Sequence, residues 1–185
     1  MELLFDIKDF LDRGEIQNEL ELERALIADR KLRLLVKKHP ELKSERKKLR
    51  ELIQAYEDLR WSKSSRISAR QLRESDIAER IAEEERQFLQ RRKEIIKERL
   101  KAVGINQQQL GKILGHNSKS YMSELMNGIH AFTLRDIVII NRLLKVELSV
   151  LVPTFLSEPE RKQVKDSLKQ IDNPNLKLSD DFVCV

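Results

Sequence analysis

A single cysteine, Cys184, rules out any disulfide within the chain, and a reducing compartment is the simpler expectation. Five glycines, four prolines and 5% aromatic residues are too few for the turns and β-rich runs of a sheet protein. No stretch approaches the roughly eighteen consecutive apolar residues that a membrane span needs. The opening MELLFDIKDFLDRG has neither a basic leader nor a small-residue cleavage site, so a soluble, cytoplasmic protein without a membrane role is expected. Histidine is scarce too. His39, His116 and His130 stand at turns or in loops, far from any metal-ligand spacing, and no Ser-His-Asp or Cys-His set can be assembled. The many paired carboxylates lie among Lys and Arg, without the apolar surroundings that raise a catalytic pKa. No metal, no cofactor and no enzymatic activity are therefore expected.

What remains is 40% apolar and 36% charged, enough to bury a core in one large domain or two small ones, built from long polar-faced helices. The net charge of +5 is modest, but its placement is uneven. Residues Gln90 to Val152 hold eleven Lys and Arg against five Asp and Glu, and the rest of the chain is about neutral. A positive excess confined to one segment suits a polyanion, although a solvated helical face is the plain alternative.

Periodicity divides the chain. Residues 1 to 14 read as short helix or strand, ending at Gly14. Ile16, Leu20, Ile27, Leu34 and Leu35 predict a helix from Ile16 to Lys38, broken at His39-Pro40. A second helix from Glu41 carries Leu42, Leu49, Leu52, Ile53, Tyr56 and Leu59, and the short connection predicts an antiparallel hairpin over residues 1–61. Trp61 to Glu74, rich in Ser and Arg, reads as an exposed linker. Ser75 is the expected cap of a long helix ending at Gly104, with a break near Gln87 as an equal alternative, so that 62–89 form linker and long helix. Its stripe is Ile77, Ile81, Phe88, Ile95, Ile96, Leu100 and Val103.

The stretch Ile105 to Thr133, INQQQLGKILGHNSKSYMSELMNGIHAFT, has the pattern of a helix-turn-helix. Asn106 is a helix N-cap, and Leu110, Ile113 and Leu114 give an apolar face. Gly115 ends the helix, because only a residue without Cβ takes positive φ freely, and the chain turns through His116 and Asn117. A second helix starts near Ser118. Met122, Leu125 and Met126 mark its inner side, which leaves Lys119, Ser120, Ser123 and Glu124 to face outward. Small polar and basic groups at that start suit phosphates and base edges. Tyr121 is open to two uses, stacking on a thymine methyl or packing beside Met122. Asn127-Gly128 ends the helix and Thr133 caps another, whose Leu134, Ile137, Val138, Ile140, Leu143 and Leu144 read as the domain's apolar centre. Leu148 to Val152 form a short helix before Pro153. Residues 154–185 supply a last helix, with Ser157 and Glu160 as a capping box, and a tail that reads as strand or disordered.

With five helices placed over 90–153, this segment resembles the λ-repressor-like (XRE) helix-turn-helix family, most of all at NGIHAFT. The span from about Leu20 to Pro153 is similar to HigA-type antitoxins, in which a helical hairpin with a motif like LIQAYED, Leu52 to Asp58, precedes the DNA-binding domain. Two departures stand out: Gly111 where the family usually has alanine, and a turn, GHNSKS, one residue longer. The expected fold is all-α, with an N-terminal hairpin, long linking helix, five-helix domain and C-terminal helix and tail. The resemblance implies that Gln107 contacts phosphate and braces the second helix, that Lys119 and Ser120 approach bases, and that Asn127, assisted by His130, contacts backbone phosphate. Ser118, Tyr121 and Ser123 complete the expected double-stranded DNA surface. A homodimer on a palindromic operator follows, because one helix reads only a few base pairs. The family implies a repressor and a HigB-type ribonuclease toxin as partner. A stand-alone regulator, a pure protein-interaction module and an RNA-cleaving toxin are the alternatives, the last disfavoured because the histidines do not cluster with arginines.

Overall fold

The computed structural model describes residues 6–61, 68–153, 158–171, 173 and 176. The protein is all-α, and among the described residues no strand occurs. The helices are α1 (Ile7–Arg13), α2 (Glu19–Leu35), α3 (Lys43–Trp61, entered through a 3-10 turn at Pro40–Leu42), α4 (Ala69–Ala102), α5 (Gln107–Leu114), α6 (Lys119–Asn127), α7 (Leu134–Leu144), α8 (Leu148–Leu151) and α9 (Glu158–Ile171). The chain forms two compact units, Met1–Val152 and Pro153–Val185. The second contains α9, whose expected cap Ser157 lies outside the described residues, as does Cys184.

The amino-terminal ambiguity resolves as helix. Asp6 caps α1 by accepting from the Lys8 amide, and Gly14 closes it in the left-handed region at φ 77°. The hairpin of α2 and α3 forms as its stripes predict, but with a different inner face. Leu22, Ala25, Ala28 and Leu32 are buried on α2, whereas Leu34 and, on α3, Leu59 are exposed. The face shifts because α2 packs against α4 as well as α3, and small residues let the two helices approach: Ala25 and Ala28 on one, Ala78 and Ala82 on the other, all buried. The Arg24 guanidinium grips the Glu85 carboxylate with two nitrogens across this contact. At the hairpin's open end the buried Glu19 carboxylate accepts from the Tyr56 hydroxyl at 3.0 Å and from Arg60 Nε at 3.1 Å. Burial, with Glu19 beside it, pushes the Tyr56 phenol up to about 12.

The long helix starts earlier than expected. Ser68, not Ser75, caps α4 through a reciprocal box with Gln71, and the 34 residues run unbroken past Gln87, about 50 Å of helix. Its first half lies on the hairpin and its second half enters the helix-turn-helix core. That core gathers Ile96, Leu100, Leu110, Leu114, Met122, Leu125, Met126, Phe132, Ile140, Leu144, Val146 and Leu151. A second core belongs to α1, α2 and α3, and one residue from far along the chain completes it: Ile129, fully buried, from the loop after α6. The Ile7 amide donates to the Ile129 carbonyl at 2.9 Å. The α7 helix is not the apolar centre its composition suggests. Ile140 and Leu144 are buried, but Leu134, Val138 and Leu143 face solvent, and the centre lies between α4, α5 and α6.

Candidate nucleic-acid interface

The helix-turn-helix is set by three local devices. Asn106 caps α5 and exchanges hydrogen bonds with Gln109. Gly115 ends α5 at φ 88°, and its amide and that of His116 bond back onto α5. Ser118 then caps α6, accepting from the Tyr121 amide at 3.2 Å and lying 2.8 Å from the Ser120 hydroxyl. The turn is braced by α7. His116 Nε2 meets the Asp136 carboxylate at 3.1 Å, the same carboxylate caps the Thr133 amide, and Arg135 donates to the Leu114 carbonyl at 3.0 Å. The turn also accounts for Gly111: a methyl there would sit 3.0 Å from the His116 carbonyl oxygen and 3.3 Å from Met122 Cγ, so the turn and α6 occupy the space an alanine would need.

The inner side of α6 is Met122, Leu125 and Met126, as the pattern predicts, with one correction. Glu124 does not face outward. It is 3% exposed, and its carboxylate accepts from His130 Nε2 at 3.0 Å. The other ring nitrogen of His130 donates to Asp6 at 2.6 Å, and the second Asp6 oxygen accepts from the Ala131 amide at 3.0 Å. Burial by itself lowers the His130 pKa, but the hydrogen bonds and charges of Asp6 and Glu124 outweigh it and raise the ring to about 9. The Asp6 carboxyl is held below its usual range despite burial, by His130 and by the Ala131 and Lys8 amides. Glu45 of α3 also reaches this cluster, with a carboxylate oxygen of Glu45, one of Glu124 and a ring nitrogen of His130 within 4.8 Å of one another. The imidazolium is the cation these carboxylates surround.

The eight residues expected at the interface fall into two sets. Ser118 and Lys119 are exposed, Gln107, Ser120 and Ser123 half-buried, and Gln107, Lys119 and Ser123 line one shallow depression with Asn106, Gln108 and Met122. Tyr121, Asn127 and His130 are engaged inside the chain. The Tyr121 ring packs against the His116 and His130 rings, with centroids 5.2 and 5.3 Å away. Asn127 accepts from Lys93 Nζ at 2.7 Å through its side chain and from Lys31 Nζ at 2.8 Å through its carbonyl, and its amide nitrogen donates to the Ser123 carbonyl at 2.7 Å. Burial and the neighbouring Lys93 pull the Lys31 amine down to about 8.

The hairpin contributes residues that the pattern of the helix-turn-helix alone does not include. His39 lines the same depression as Gln107 and Lys119. The Glu41 carboxyl is held below its usual range by its own amide and, more weakly, by the Ser120 hydroxyl and His39. Asp6, Lys31, His39 and Glu41 lie between 67 and 125 positions before the residues they meet, as in the pairs His39 with Asn106 and Asp6 with Ala131, and no local pattern signals such pairings.

Residues 96–151 match the family model for helix-turn-helix domains. No curated protein and no solved structure matches the chain. The match begins on the last turns of α4 and ends with α8, the same boundaries as the core that runs from Ile96 to Leu151, and this segment is a helix-turn-helix DNA-binding domain of the XRE-like kind. Among the described residues, no helix is long and apolar enough to cross a membrane.

Proposed function

We propose that this protein is a sequence-specific transcriptional repressor that lays the start of α6 in the major groove of double-stranded DNA. The observation that supports this best is the exposed Ser118-Lys119 pair, capped at the head of a helix whose opposite side is locked into the core. In this reading Lys119 and Ser120 approach base edges, Ser118 and Ser123 flank them, and Gln107 at the head of α5 takes a backbone phosphate. Tyr121, Asn127 and His130 hold α6 and its following loop in place. Two of the five acidic residues between Gln90 and Val152, Glu124 and Asp136, are buried, which leaves the surface more positive than the sequence total.

The operator is palindromic and the protein binds as a homodimer, since a second copy about one helical turn away supplies the specificity one helix lacks. Leu134, Val138 and Leu148, exposed on α7 and α8, offer an apolar surface for that copy. The finer assignment is the antitoxin of a HigB/HigA-like pair, with the hairpin of α2 and α3 meeting a ribonuclease toxin. It rests on the LIQAYED resemblance, with a groove on the hairpin as the supporting surface, where Leu26, Val36 and Ile53 lie among charged residues of both signs such as Arg50 and Glu57. Co-purification with the product of the adjacent gene tests the toxin; a failed capture leaves a stand-alone XRE-family regulator.

The DNA reading is tested by fluorescence anisotropy with the chain's own upstream DNA and a random duplex of equal length. Lys119→Ala is expected to lose about 5- to 150-fold of the preference for the upstream DNA, the range of one lost base contact, with an unchanged circular dichroism spectrum. Undiminished preference would show that α6 does not read the sequence.

A further inference from the structure

The tip of the hairpin stands beside the reading surface. His39, between α2 and the 3-10 turn, shares one depression with Asn106, Gln107 and Gln108 of the α5 head and Lys119, Met122 and Ser123 of α6. Glu41, two residues on, is close enough to the Ser120 hydroxyl for the two to influence each other electrostatically. The shared depression places the tip at the edge of the α6 surface. Its chemistry suits a polyanion: residues 37–48 hold six Lys and Arg against two Glu. Lys37, Lys38 and Lys43 are exposed, and none of them forms an ion pair among the described residues. Arg46 is already held by Asp29, and one carboxylate, Glu45, turns into the His130 cluster. Exposed, unpaired lysines therefore set the charge at the tip.

We infer that the hairpin tip, through Lys37, Lys38 and His39, is a second DNA contact that binds backbone phosphates next to the stretch read by α6. The occupant is the phosphodiester backbone rather than base edges, because flexible ammonium groups on a turn match point charges and lack the planar, fixed geometry that distinguishes bases. A longer run of DNA is then covered than a five-helix domain covers alone, and the added affinity is independent of sequence and sensitive to salt. The inference rests on the DNA-binding reading above.

The test uses the full chain, with its own upstream DNA and a random duplex of the same length, titrated across a series of salt concentrations. For Lys37→Ala/Lys38→Ala the plot of log affinity against log salt is expected to be shallower by about 2, which corresponds to about 30-fold weaker binding near 0.15 M salt. The loss is expected to be equal on both duplexes. His39→Ala is expected to weaken both in the same sense, and Glu41→Gln to tighten both. Both lysines are exposed, and a matching thermal melt confirms that the variant folds. If the unaltered chain binds neither duplex, the DNA-binding reading itself fails. If it binds and the double variant keeps the same slope, only the present inference is overturned. Tighter binding by the double variant also overturns it and shows that the tip shields α6, and a loss confined to the upstream DNA overturns the assignment to backbone.

Discussion

Replacing His130 tests whether the joint between the hairpin and the helix-turn-helix is an ion-pair lock. The side chain is 10% exposed and bridges Asp6 before α1 to Glu124 on α6. A ring pKa of about 9 in the folded chain, against an ordinary value near 6.5, corresponds to a stabilisation on the order of 3 kcal/mol when the ring is charged in both states. Because the folded value is the higher one, that contribution is complete below about pH 6.5 and is lost as the pH rises through about 9. Between pH 6 and 8 the loss comes to about 2 kcal/mol, or a drop in urea midpoint of about 1 M for a slope of about 2 kcal/mol/M. Two neighbours bound the window. Asp6, with its pKa lowered, contributes above the ordinary carboxylate range and loses this only as the pH falls into acid, so it is constant from pH 6 to 8. Lys31 works in the opposite sense: its folded value of about 8 lies below the unfolded one, so the penalty for burying its charge is relieved only as the pH rises above about 8. The assay is urea unfolding followed by far-UV circular dichroism at fixed ionic strength, with His130→Gln alongside. The variant is expected to be less stable at pH 6 by about 3 kcal/mol and to lose most of the pH slope. An equal midpoint for the unaltered chain at pH 6 and pH 8, or an undiminished slope in His130→Gln, would refute the lock.

Asp6→Asn keeps a capping side chain on α1 but removes one carboxylate from His130, so a proton NMR titration should find the ring closer to the ordinary histidine range. Gly111→Ala gains about 1 kcal/mol of helix propensity but forces a methyl to 3.0 Å from a backbone oxygen, a cost of about 1–3 kcal/mol, so the thermal midpoint should fall. A rise would show that the turn yields. Gly128→Ala should lower stability by about 3 kcal/mol, since a side chain at φ 65° is strained and its Cβ would meet Leu89 Cδ1 at 2.7 Å. Chemical denaturation reads both glycine variants.

Ends of helices were legible because each is decided by a few adjacent residues. Asn106, Gly115, Ser118, Gly128 and Thr133 act within one turn of where they stand, and all five stand at the positions expected of them. Faces were less legible. Reading α2 by its bulky residues selected Leu34, which is exposed, and passed over Ala25 and Ala28, which are buried because α4 comes close there. Alanine carries little weight in a hydrophobic stripe yet permits the tightest helix approach. Weighing bulky residues alone also picked α7 as the apolar centre, although Leu134, Val138 and Leu143 are exposed. In α4 the actual cap, Ser68, has Gln71 three residues on, a box sitting inside a stretch whose Ser and Arg content reads as linker.

Glu124 marks the limit of a local reading of the interface. On a helical wheel it shares a side with the outward residues of α6, and a carboxylate there reads as solvated or as a cytosine acceptor. What turns it inward is His130, six positions later, and His130 is itself held by Asp6, 124 positions earlier. An isolated helix-turn-helix would have no reason to bury that carboxylate, because the charge that compensates it depends on the amino-terminal segment being packed alongside. Ile129 shows the same dependence in apolar form: it leaves the loop after α6 to fill the core of α1, α2 and α3. A chain cut before α4 would strip the partner from Ile129, Asp6 from His130 and Lys31 from the Asn127 carbonyl, and all three losses fall on the loop that ends α6. In this protein α6 is therefore positioned from its own core on one side and from the amino-terminal segment on the other.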